Sequence, residues 1–108
     1  MDSEYQIVYC TCPDNESAEY VANILIEKSL AACVSILPGI TSIYAWQNTV
    51  ETNTEHLLMI KSKVKVYDAL ETAILTTHPY DIPEIIAVPI QMGLQSYLQW
   101  IDDSIQPE

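Results

Sequence analysis

Arginine and phenylalanine are absent from this 108-residue chain, and it holds only four lysines and two glycines. Fifteen Asp and Glu against four Lys leave a net charge of −11. Neutralising a phosphate backbone needs a basic surface, so nucleic acid is not an expected partner, and an anionic membrane is disfavoured on the same ground. Neither glycine belongs to a G-x-G-x-x-G or P-loop pattern, so a glycine-rich phosphate cradle is excluded. G-x-S-x-G and H-E-x-x-H are missing too. No apolar run approaches the ~20 residues that span a bilayer. The opening residues, Met1 to Gln6, are acidic and polar, unlike a targeting leader, and read as cytoplasmic. In that compartment the odd count of three cysteines is expected to be reduced.

What is present fits one domain, residues 1–108, with 49% hydrophobic residues and enough length to bury a core without disulfides. Tyr5 to Cys12 is apolar at both alternating sets, which predicts a central strand covered on both faces. Asp14 or Asn15 is placed to cap a helix that carries Ala18, Val21, Ala22, Leu25 and Ile26 and runs to about Ser29. Val34 to Leu37 and Ile40 to Trp46 read as extended, interrupted by a bend at Pro38-Gly39. Gln47-Asn48 is the preferred hairpin turn, and a strand follows through Lys61. Val66, Leu70, Ala73, Ile74 and Thr77 form a second helical stripe that ends at His78-Pro79. Ile85 to Met92 is expected to be a strand that lies at an edge or bulges at Pro89. A short final helix over Leu94 to Ile101 has Asp102 and Asp103 in its last turn, where they oppose the dipole and predict fraying. The order implies an α+β fold, a ferredoxin-like βαββαβ sandwich with a short C-terminal helix. Two helices cover one face of its sheet, so the second apolar face calls for oligomerisation.

The stretch Thr77 to Glu84 concentrates chemistry: a histidine, two carboxylates, a tyrosine and two of the six prolines. Each proline fixes its own φ and drives the preceding residue to extended geometry, so the segment is a stiff connector. His78 suits either a metal ligand or a helix C-terminal cap. Glu84 suits either a ligand or a surface acid. Cys10 and Cys12, two apart in a strand, point their sulfurs to one face. That spacing allows soft-metal chelation, while packing of two small hydrophobes is the simpler reading.

Several segments together resemble one family: Ile7 to Asp14, Leu30-Ala31-Ala32-Cys33-Val34, Pro38 to Trp46, Lys61, His78-Pro79-Tyr80-Asp81-Ile82-Pro83-Glu84-Ile85, and Tyr97 to Trp100. These resemble the CutA divalent-cation tolerance proteins over nearly the whole chain. The resemblance implies a homotrimer similar to the PII signalling trimers, with clefts between subunits, and a role in copper tolerance and divalent-metal binding. It implies a metal set of Cys10, His78 and Glu84. Thr77 stands where some members carry a further histidine, so a bound ion would need His78 to turn inward or Cys12 to substitute. A thiolate, an imidazole and a carboxylate suit Cu(II) or Zn(II) over Mg(II). The metal is not expected to be required for folding. A second reading makes the protein a small-molecule sensor whose cleft is lined by Tyr80, Lys61 and Trp46. An enzyme with Cys10 as nucleophile, His78 as base and Glu84 as its orienting group ranks last, and the chain is not expected to be an enzyme. A purely structural trimer remains the simplest alternative.

Overall fold

The computed structural model describes residues 3–105. Its elements are β1 (Tyr5–Cys12), α1 (Asn15–Glu27), β2 (Cys33–Trp46), β3 (Thr49–Lys63), a 3-10 turn (Val64–Val66), α2 (Tyr67–Thr77), β4 (Ile85–Pro89) and α3 (Gln95–Ser104). The strands form one four-stranded sheet in the order β2-β3-β1-β4, and every neighbouring pair is antiparallel. This is a mixed α/β fold with three helices.

Alternation along β1 sorts the chain into two layers. Val8, Cys10 and Cys12 face α1 and α2, together with Leu58 and Ile60 from β3. Ala18, Val21 and Leu25 of α1, with Leu70, Ala73 and Ile74 of α2, close over them to form the main core. Asp14 caps α1 by accepting from the Ser17 amide at 2.8 Å. At the other end Ser29 takes a left-handed φ of 57°, so the Leu30 amide donates back to Leu25 and the Ser29 amide to Ile26. Those two bonds satisfy carbonyls that the helix end would otherwise strand.

The opposite face is unevenly covered. Ile7 and Tyr9 of β1 and Leu57 and Met59 of β3 are half-buried, while Ile86 and Val88 of β4 are 54% and 40% exposed. Only the Tyr5 end of this face has a helix on it. There α3 contributes Ile101 and Leu98 to a second cluster with Val66, Ile105 and Tyr5.

Three sequence expectations are corrected here. Pro38-Gly39 does not divide β2 into two strands. β2 is continuous and absorbs the pair as a bulge between Leu37 and Ile40, with Gly39 at a φ of 72°. An edge position makes the missing proline amide harmless. β4 stops at Pro89 rather than Met92, and it is indeed an edge strand. Finally, α3 persists to Ser104. Asp102 is held by an ion pair to Lys63 and a hydrogen bond from the Tyr5 hydroxyl, and these contacts outweigh its unfavourable place in the dipole.

Those contacts make α3 an acid-sensitive element. Lys63 and then Tyr5 hold the Asp102 carboxyl below its usual range, and the same bond pushes the Tyr5 phenol up to about 12. A depressed carboxyl stabilises the fold above its unfolded value, about 3.9, and that contribution is lost as pH falls through the folded value. Asp102→Asn is therefore expected to cost about 1 kcal/mol at pH 7 and almost nothing near pH 2. Urea midpoints at the two pH values check this; an equal cost at both would contradict it.

Candidate metal centre and adjoining cleft

β1 ends where α2 ends, and this meeting builds the site. Cys10 and Cys12 point off β1 into the core, and His78 follows the last residue of α2. The ligand-capable atoms of Cys10, Cys12 and His78 all lie within 4.8 Å of one another, and all three residues are buried. Cys12 Sγ is 3.6 Å from His78 Nε2.

Hydrogen bonding fixes the imidazole. The Tyr80 amide donates to His78 Nδ1 at 3.1 Å, so that nitrogen carries no proton. The proton of the neutral ring is on Nε2, which donates to the Thr11 carbonyl at 2.7 Å. Both nitrogens are thus engaged. His78 ties the end of β1 to the start of the connector, and its Cα is extended, as the following proline requires.

The thiols are also tied down. The neighbouring Cys12 sulfur comes first, then burial, in pushing the Cys10 thiol above its usual range; the charges of Glu84 and Glu55 add to the rise. When one proton leaves the pair it leaves Cys12, because Cys10 then donates to the new thiolate. A nucleophilic cysteine needs the reverse, a depressed and accessible thiol, so Cys10 has neither property of an activated nucleophile.

Glu84 lies elsewhere. It is exposed and lines a cleft of about 860 Å³ with Tyr80 and Trp46. Lys61 is not part of that cleft; its Nζ lies 2.6 Å from Ser35 Oγ, between β3 and β2. Glu55 is not singled out by the sequence pattern. In the fold Glu55 is 8% exposed, lines the cleft and accepts a hydrogen bond from the Tyr80 hydroxyl at 2.9 Å. Burial, then that carboxylate, pushes the Tyr80 phenol up to about 12. The signal available beforehand was Glu55 standing two residues before an apolar run, which gives its strand but not its burial.

A profile of the CutA1 divalent ion tolerance protein family matches residues 6–104. The chain belongs to that family. It is 41% identical over 99 residues to a divalent-cation tolerance protein CutA of Thermus thermophilus, covering 92% of this chain and 96% of that one. It is 44% identical over 98 residues to a chloroplastic CutA 1 of Oryza sativa, covering 91% of this chain and 55% of the relative. The chain thus spans about half the length of the plant and human relatives it matches. The crystal structure of CutA1 from Oryza sativa superposes with a TM-score of 0.95 at 40% identity, over 99% of this chain and 98% of that one. A CutA structure from Archaeoglobus fulgidus described as periplasmic gives 0.92 at 36% identity, over 94% and 99%. Chloroplastic and periplasmic relatives correct the cytoplasmic expectation: polar opening residues do not fix a compartment for CutA proteins.

Proposed function

We propose that this protein is a divalent-cation binding and tolerance protein that takes copper, built as a homotrimer of ferredoxin-like protomers. The observation that carries the metal reading is the convergence of Cys10, Cys12 and His78 in a chain of the divalent ion tolerance family. Two sulfurs and an imidazole make a soft set suited to copper or zinc, and Cys12 supplies the third donor within reach of His78. Glu84 is the fourth candidate, from the cleft side of the connector. The hydrogen-bonded cluster offers sulfur but no free imidazole lone pair. Uptake of an ion therefore requires the Tyr80 amide to leave Nδ1, freeing that lone pair or letting the ring proton move there from Nε2, and both thiols to lose their protons.

The trimer reading rests on the half-covered sheet face and on the β2–β3 hairpin. Beyond the register of β1, residues 40–46 and 49–55 form a two-stranded arm with Ile43, Trp46 and Val50 exposed. A two-stranded ribbon is marginal alone and gains order against a neighbour.

Calorimetric titration of the reduced protein with Zn(II), then Cu(II), tests the metal reading. We expect about two protons released per ion, affinity that falls with pH, and a loss of tenfold or more in Cys10→Ser, Cys12→Ser and His78→Ala. Unchanged binding in Cys10→Ser and His78→Ala would remove this site. A second reading, a PII-like small-molecule module, is favoured by the aromatic cleft beside Trp46 and Tyr80.

A further inference from the structure

The cleft between the hairpin and the connector has a composition that selects a ligand class. Its aromatic walls are Tyr44, Trp46 and Tyr80. Four carboxylates, from Glu51, Glu55, Asp81 and Glu84, share its lining with no basic residue. Glu55 is the anchor: it is more than nine-tenths buried and opens onto the cleft. Among the described residues its one side-chain partner is the neutral Tyr80 hydroxyl, and no cation lies at ion-pairing distance. A buried carboxylate without a counter-ion is costly unless a cation reaches it.

The carboxylates are also too dispersed for a single metal ion. Among the described residues the one compact donor group is Cys10, Cys12 and His78, and no carboxylate joins it or forms another. A hard cation needs several oxygens about 2.0–2.6 Å from one centre. Separated carboxylates with aromatic faces beside them match instead a cation whose charges are spread along an apolar body. Ammonium groups over Trp and Tyr faces gain cation–π attraction, and methylenes pack on the same rings.

We infer that this cleft binds an aliphatic polyamine, with one ammonium on Glu55 and its methylene chain along Trp46 and Tyr80. The inference rests on the small-molecule reading of the cleft. Its charge logic agrees with a chain of net charge −11, whose field concentrates polyvalent cations at the surface.

Calorimetry with spermidine on the full-length protein at about 0.15 M salt, where surface charges are largely screened, is the test. Saturable binding is expected, weakened about tenfold in Glu55→Gln and about fivefold in Trp46→Ala. Glu84→Gln, at an exposed position that does not threaten folding, is expected to weaken it about threefold. Glu27→Gln, on α1 and outside the cleft lining, is expected to change nothing. Equal weakening in Glu27→Gln and Glu55→Gln would reduce the effect to counter-ion condensation and overturn the inference. So would the absence of saturable binding. Binding of AMP or of 1,8-octanediol in place of spermidine would also overturn it while leaving the small-molecule reading of the cleft standing.

Discussion

Ile86→Asp is expected to convert the proposed trimer into free protomers. Light scattering after gel filtration would then give a mass near the 12.2 kDa of one chain in place of a multiple of it. The argument starts from β4. Its residues alternate between the core face, where Ile85 packs on the main cluster, and the opposite face, where Ile86 and Val88 stand exposed. On that face they lie beside Tyr9 and Ile7, their partners across the β1–β4 ladder. Position 86 is 54% exposed, so a carboxylate there can stay hydrated in a lone protomer and the fold itself tolerates it. In an assembly that closes this face, three unpaired charges enter an apolar interface at several kcal/mol each. Circular dichroism should remain that of a folded α/β chain while the mass falls. A mass unchanged from the parent, or a parent already at 12.2 kDa, would sink the proposal that this face is an interface.

His78→Ala is expected to destabilise the protein by about 3 kcal/mol. The ring is buried, and its removal does two kinds of damage. It leaves the Thr11 carbonyl and the Tyr80 amide without their partners, and it opens a void between the end of β1 and the connector. The loss of the Tyr80 bond should also loosen residues 79–84, so hydrogen exchange there should accelerate more than the global change explains. The check is the shift in urea midpoint at constant slope, together with exchange at Tyr80. A change within about 0.5 kcal/mol would mean that the ring is peripheral to stability. Metal is absent from this argument, so the result stands apart from the titration.

Much of the fold was legible because the chain obeys local rules. The two-sided apolar pattern of β1, the cap at Asp14, the stripe from Val66 to Thr77 and the Gln47-Asn48 turn each announce themselves within a few residues. Both turn residues do take positive φ, at 50° and 67°. What sequence could not supply is long-range. Tyr5 lies 97 residues from Asp102, and that contact decides whether α3 frays. The bulge at Pro38-Gly39 is allowed only because β2 is an edge, which is a property of the sheet.

The site was legible in the same uneven way. A period of two places Cys10 and Cys12 on one face, and a proline after His78 ends α2 there. The meeting of these two points depends on how far β1 and α2 run before each stops. Nothing local tells whether Cys12 or Glu84 comes within reach of His78. Lys61 lies on the sheet but 2.6 Å from Ser35, away from the cleft it was expected to line. Glu55 escaped notice because burial of a carboxylate is set by the connector that folds over it.

The two prolines at 79 and 83 bracket a segment whose amide at Tyr80 latches the imidazole. That latch sets a clock as well as a structure. Both sulfurs are sealed from solvent, so the structure around them must open before anything reaches them. Under the proposed metal reading, the pace of loading is set by how often the latch opens, not by how often an ion arrives. Slow loading would follow from one hydrogen bond, and a stiffer connector would slow it further without altering a single ligand.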